Sequence, residues 1–346
     1  MMKYRSAKYK NLGETFRVMR IILATLLLNL LCKGVSAQDA YFSQFFMNPT
    51  YMNPAYAGTL KVPRASIQYR NQWPAMGNAY INYFAGFDTY LPTISSGVGL
   101  LVCNDVQGGG VYSETSFKGM FSKEILLNQD WTMWGSVSAG AKLNSLNFNQ
   151  LIFADELDVT WGNYQATAET LPEKANRLIP DLGAGILIFN RTYFIGISGD
   201  HLSQPDQSIY SGSSYPLKRK FTLHFEYSFP WHRPGHLRKL IKFTPNFILQ
   251  SQGNLQNLTY GIYGNRKGLT VGLWNRITSE KNTDVIVMAG FMGKQLMSSI
   301  SYDVNINGVG LKSRGSIEFT LSYLFKVPGK KNIFPFYGTP GEWDLH

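Results

Sequence analysis

Charge is scarce in this chain. Asp, Glu, Lys and Arg make up only 16% of its 346 residues, against about 25% in a typical soluble protein. Cysteine is nearly missing as well. Of the two, Cys32 lies in an N-terminal leader and only Cys103 remains beyond it, so no internal disulfide can staple the mature fold. No stretch after the leader approaches about 18 uninterrupted apolar residues, which excludes a membrane-spanning helix there. The motifs of catalysis are also missing: there is no HExxH, nucleophile elbow, P-loop or dinucleotide fingerprint. His232 and His236 are four apart, but Pro234 and Gly235 between them forbid the helix that would place both on one face. These absences predict no enzyme activity, no cofactor and no metal.

The chain is instead rich in rings, with 22 Phe, 20 Tyr and 7 Trp, and in glycine. Residues 1–37 read as a secretory signal peptide. A basic region (Lys3, Arg5, Lys8, Lys10, Arg17, Arg20) precedes the short apolar run Ile21 to Leu31, and Val35-Ser36-Ala37 is a small-residue cleavage site. A small residue should precede a lipidated cysteine, and Leu31 precedes Cys32, so the pattern favours cleavage after Ala37. The leader holds seven Lys/Arg against Glu14, or +6 of the formal +11, and leaves +5 on the mature chain. That removes the main support for a nucleic-acid partner.

The mature sequence is organised by alternation. In Ser316 to Lys326, Ile317, Phe319, Leu321, Tyr323 and Phe325 share one face of an extended strand, and Ser316, Glu318, Thr320 and Ser322 share the other. Phe221 to Phe229 repeats the pattern. A soluble sandwich would turn the apolar face to a core, whereas a transmembrane barrel turns it to lipid and keeps the polar face for the lumen. Fourteen period-2 segments can be counted between turn signals: 63–71, 78–88, 96–106, 111–124, 130–144, 180–189, 192–200, 218–229, 241–251, 254–264, 268–276, 283–293, 295–304 and 314–326. Trp134 breaks the alternation of the fifth. Joins after even strands are mostly tight, and the largest inserts, Ser145 to Ile179 and His201 to Leu217, follow odd strands. That is the asymmetry of short periplasmic turns and long outer loops. Two outer joins, Gly108 to Gly110 and Gln252-Gly253, are short, and Pro230 to Leu240 makes a long, basic inner one.

Before the first strand, Gln38 to Thr59 has two Asn-Pro pairs and no clean alternation, so an irregular, turn-rich segment is predicted. Its run FSQFFMNPTYMNPAYAG, Phe42 to Gly58, resembles the N-terminal signature of the PorP/SprF family of type IX secretion outer-membrane proteins. Arg70-Asn71-Gln72-Trp73, Asp181-Leu182-Gly183-Ala184-Gly185, His201-Leu202-Ser203-Gln204-Pro205 and Tyr302-Asp303 match later family motifs in the family's order. The resemblance implies a bacterial outer-membrane barrel without catalysis, supporting export or surface attachment of a large secreted cargo such as a gliding-type adhesin. The implied partners are that cargo, periplasmic type IX secretion components and outer-membrane lipid. It also implies structural roles for the motif residues Asn48, Pro49, Asn53, Pro54, Ala55, Tyr56 and Gly58. The competing functional reading is a passive porin or FadL-like small-molecule transporter. A soluble, glycan-binding β protein is disfavoured by the composition and by the joins.

The expected organisation is therefore a signal peptide (1–37), an N-terminal periplasmic or plug segment (38–62), an all-β antiparallel barrel of about fourteen strands (63–326) and a periplasmic C-terminal tail (327–346). Arg64, Arg70, Asp88, Lys118, Lys142, Glu226 and Glu318 are predicted to point into the lumen, since a charge facing lipid near the midplane costs roughly 2–4 kcal/mol. Fourteen strands enclose more space than their own side chains fill, because about eight already enclose a packed interior. Gln38 to Thr59 is the candidate plug. Asp155, Glu156 and Asp158, beside Trp161 and Tyr164, are a mixture that could bind sugar or cation, but read first as a solvated outer loop. The tail's Ile333, Phe334, Phe336, Tyr337 and Trp343 form either a binding patch or a fold-back onto the rim.

Overall fold

The computed structural model describes residues 39–77, 80–151, 153, 156, 174–208, 214–232, 239–279, 282–307 and 314–327. The leader, almost all of the tail, Asp155, Asp158, Trp161, Tyr164 and the centre of the basic join lie outside them. The strands are β1 Arg64–Gln72, β2 Tyr80–Leu91, β3 Ser96–Gln107, β4 Tyr112–Leu126, β5 Thr132–Asn147, β6 Lys174–Phe189 and β7 Tyr193–Asp200. They continue as β8 Lys220–Tyr227, resumed after Ser228 as Phe229–His232, β9 Lys239–Gln252, β10 Leu255–Arg266, β11 Leu269–Thr278, β12 Thr283–Met292, β13 Leu296–Asn305 and β14 Ser316–Leu324. Each pairs antiparallel with its neighbours in sequence, and β1 also pairs with β14 from Arg64↔Leu324 to Gln72↔Ser316, so the sheet closes on itself. Closure leaves no strand edge to satisfy in lipid.

Alternation sets the two faces. Along β14, residues 316, 318, 320, 322 and 324 are buried, and 317, 319 and 323 are exposed. Leu100 is 67% exposed and Val137 60%, as expected for side chains that meet acyl chains. Outward aromatics gather toward the strand ends, as at Trp131, Tyr193, Tyr227 and Phe229, whose rings form successive contacts of 6.4, 5.1 and 5.4 Å. No helix among the described residues is long and apolar enough to cross a membrane; the crossing is made by strands.

Each of the fourteen segments expected from the sequence contains a strand. Two boundaries move for local reasons. β6 begins at Lys174 and pairs with β5 from Asn147↔Lys174 onward, so both ends of the supposed outer loop, 145–147 and 174–179, are strand. The long basic inner join shortens because β8 resumes beyond Ser228 and pairs with β9 through Lys239↔His232. Pro230 is tolerated there because pairing with β7 stops at Tyr193↔Tyr227, so on that side no strand needs its missing N–H. The joins at 92–95, 127–131, 190–192, 267–268 and 293–295 define a short-turn end, and the described residues 148–151 and 201–208 lie at the other; in outer-membrane barrels the short turns are the periplasmic ones.

Candidate functional site: the filled lumen

Asp39–Val62 lies inside the barrel. Two Asn-Pro pairs shape it into a single turn of helix, α1 Pro49–Met52, and a 3-10 turn, Pro54–Tyr56. Proline opens both, where its missing N–H is not needed. Asn53 caps the second by accepting from Ala55 N at 2.9 Å.

Facing positions on the wall bind the backbone of this segment. Ser43 N and Gln44 N donate to the two carboxylate oxygens of Glu318 at 2.8 and 2.7 Å. Ser198 Oγ donates to Met52 O at 2.8 Å, and Ser122 Oγ to Ala57 O at 2.6 Å. Gly58 N donates to Asp88, which also takes Arg64 Nε at 2.7 Å. Gly58 has φ +75°, and a Cβ on it would come within 2.6 Å of the Gly97 Cα, so glycine is required for both conformation and approach.

Two charged clusters hold the segment's first residues. In one, Arg70 bonds Asp303 at 2.8 Å and Glu318 at 2.9 Å, Arg276 joins Asp303 at 3.3 Å, and both arginines donate to Ser43 Oγ. The Tyr41 ring packs against both guanidiniums, at 5.6 and 4.6 Å. In the other, Asp39 meets Lys142 at 2.8 Å and His201 Nε2 at 2.6 Å, while Asp181 holds His201 Nδ1 at 2.8 Å. Lys118 binds Asp200 at 2.6 Å, and Glu114 is the second partner of Lys142. Burial alone would raise the Asp39 carboxyl, but the charges of His201, Lys142 and Lys220 outweigh it and hold the group well below the carboxylate range. Burial alone would lower His201; the Asp39 charge and the Asp181 hydrogen bond raise it instead.

Toward the short-turn end the lumen changes character. Trp134, Leu187, Phe194, Ile248, Trp274, Ile286, Met288 and Met297 point inward and form one apolar cluster with Phe45, Phe46, Met47, Met52, Ala55, Tyr56 and Leu60 of the segment. Phe46 stacks against Tyr263 and Trp274 at 4.9 and 5.2 Å, and those two rings are 6.2 Å from each other. Trp134 breaks the alternation because its inward position meets this apolar plug rather than water. Gaps of about 10, 20 and 30 Å³ remain between segment and wall, about enough for a water or two each.

The motif residues are thus spread along the segment. Asn48 donates to Gln68 at 3.0 Å, and Asn53 reaches the carbonyls of Ile186 and Ile197 at 3.2 and 3.3 Å. Pro49, Pro54 and Ala55 are buried in the turns, and the Tyr56 ring stacks on His224 at 5.4 Å. A Cβ at Gly185 would sit 2.1 Å from the Asn53 side chain, so the glycine of the Asp181–Gly185 motif makes room for the asparagine of the first one. Arg64, Arg70, Asp88, Lys118, Lys142, Glu226 and Glu318 all face the lumen, and Glu226 lies near Tyr263 and Lys242. Asp39, Asp181, Asp200, His201, His224, Arg276 and Asp303 complete the site and were not singled out as lumen charges. Asp181, His201 and Asp303 carried a signal, since each stands in a motif; Arg276 and Asp200 gave none. Among the described residues no group of three or more His, Cys, Asp or Glu is placed to hold a metal ion.

Residues 34–323 match the family model of the type IX secretion system membrane protein PorP/SprF. No curated protein matches the chain. Among solved structures, the chain is similar to Omp33 of Acinetobacter baumannii, with 8% identity, 77% of this chain and 98% of that one covered, and a TM-score of 0.42. It is also similar to the KdgM porin (8%, 76% and 99%, TM-score 0.36) and to a Pseudomonas aeruginosa FadL homologue (8%, 79% and 93%, TM-score 0.40).

Proposed function

The chain belongs to the PorP/SprF family of type IX secretion system membrane proteins, and on that premise we propose that it supports the export or surface attachment of a large cargo protein, such as a gliding-type adhesin, without passing solutes. It is an outer-membrane β-barrel. In this proposal the signal peptide is cleaved after Ala37, Asp39–Val62 acts as a permanent plug, and the protein works beside cargo and periplasmic secretion components through its two ends rather than its pore.

The observation that carries this reading is the filled lumen. A passive porin needs a continuous aqueous path, and here the inner half of the lumen is an apolar core shared by segment and wall, with gaps of water size beside the segment at Tyr41, Tyr51 and Lys142. No catalytic constellation is required.

The test compares cells lacking the gene with complemented cells, by outer-membrane fractionation, a census of surface and secreted proteins, and small-solute uptake. One or a few very large proteins should vanish from the surface while uptake stays normal. An intact surface proteome with reduced uptake of a nutrient would replace this reading with the porin one.

A further inference from the structure

The two ends of the barrel differ in charge. At the short-turn end Lys123, Arg191, Arg266, Lys267, Lys294 and Lys326 are exposed, and Asp130 is the one exposed acid among the described residues there. Lys61 and Glu124 also lie at this end but neutralise each other at 2.5 Å. Lys242 is half-buried near Glu226. At the long-loop end the described Arg177, Lys218, Arg219 and Arg314 are offset by Glu156, Asp206 and Asp284. Lys123, Arg191, Arg266, Lys267 and Lys326 have no ion-pair partner among the described residues.

These cations are distributed around the circumference. Lys123 lies in the last residues of β4, Arg191 sits in the β6–β7 turn, Arg266 ends β10 and Lys267 lies in the turn after it, Lys294 sits in the β12–β13 turn, and Lys326 follows β14. An outward apolar side chain stands within three residues of each, on the membrane side: Phe121, Tyr193, Leu269, Phe291 and Phe325, all 39–66% exposed. A cation just beyond an aromatic or aliphatic anchor is the arrangement in which Lys and Arg extend from the hydrocarbon boundary to the headgroups. A docked protein would meet one sector of the rim, whereas a ring meets a plane.

We propose that this basic ring binds the phosphodiester headgroups of anionic phospholipids in the periplasmic leaflet. The ring selects a shell of acidic lipid and fixes the height and tilt of the barrel. This assignment does not depend on the secretion role.

The test uses the full chain in vesicles of phosphatidylcholine with one fifth phosphatidylglycerol, and reads the lipid retained on the protein by native mass spectrometry and by a spin-labelled phosphatidylglycerol. The wild type should retain phosphatidylglycerol over phosphatidylcholine, and the preference should fall in about 1 M salt, where screening reaches within about 3 Å. Arg191→Gln, Arg266→Gln, Lys267→Gln and Lys326→Gln, combined, should weaken it by about fivefold per cation at most, with the heat-modifiable barrel band unchanged. Lys218→Gln, Arg219→Gln and Arg314→Gln at the other end should leave it intact. Equal retention of both lipids by the wild type overturns the proposal, as does loss of the preference only in the long-loop variants. If the short-turn variant loses an acidic protein partner but no lipid preference, the ring is a protein-docking site and the lipid assignment is overturned.

Discussion

Asp39 and His201, 162 positions apart in sequence, meet at 2.6 Å and join the first described residue of the luminal segment to the outer end of β7. Asp181 grips the other ring nitrogen, Lys142 holds the second oxygen of Asp39 at 2.8 Å, and Lys220 approaches the oxygen shared with His201 at 3.6 Å. Neither the segment nor the loop after β7 is held there by backbone pairing with the other. The contact is electrostatic, so its strength follows pH.

The folded state raises His201 above its ordinary 6.5, so its contribution is complete below about that value and is lost as pH rises through the raised one. It lowers Asp39, so that contribution is present above the ordinary 3.8 and is lost as pH falls through the lowered one. Protection factors at Ala40 to Ser43, hydrogen-exchange rates normalised to the intrinsic rate at each pH, should therefore be highest between about pH 4 and 6.5 and fall on the alkaline side. His201→Gln should remove the alkaline change; an unchanged profile in that variant would refute the role given to His201.

Glu318→Gln should destabilise the barrel by about 3–5 kcal/mol, the usual cost of breaking a buried pair from one side. The amide would also present a donor to Ser43 N or Gln44 N, which already donate to this group. Denaturant titration of the heat-modifiable band measures the loss, and a change below about 1 kcal/mol would show that the cluster is not holding the segment.

Trp134→Ala should cost about 3–5 kcal/mol, as for other buried rings. The side chain is fully buried, in the cluster that contains Ala55 and Tyr56. On a water-filled inner face the same change would be nearly silent, so unfolding in denaturant separates an apolar plug from an aqueous channel.

Gly97→Leu tests the plug without removing it. A Cβ at Gly97 would stand 2.0 Å from the Ala57 carbonyl oxygen, so any side chain there pushes the segment from the wall. Wild-type protein in planar bilayers should be nearly silent, and the variant should show steady openings. Equal conductance in the two would mean that the segment does not close the pore. Deletion of the whole segment is a poorer test, because it would leave Phe194, Ile286, Met288 and their neighbours facing water.

Much of this could be read from the chain itself. Period-2 alternation marks strands wherever one face meets lipid and the other meets polar groups, and the fourteen segments follow from it. Boundaries slipped where that contrast fails, as at Lys174–Ile179, which precedes the cleaner alternation of β6, and at Phe229–His232, where Pro230 reads as a turn. The pleat and the register of apolar residues assign the seven expected charges to the lumen side, and they are buried or half-buried in the closed sheet. Arg276 was missed because a single charge in Leu269–Thr278, between Asn275 and Ile277, does not by itself reveal that it is opposite Asp303.

What the sequence determined alone was the barrel, its two faces and its family, because these depend on local periodicity and on short motifs. What only the tertiary structure decided was the content of the barrel. Trp134 looked like an error in its strand's pattern until the Asn-Pro turns of Asp39–Val62 were placed against it. The pairings that fix that segment span up to 275 residues, and no local rule connects groups so far apart; they meet because closure of β1 on β14 brings both ends of the chain to one wall, facing the same segment.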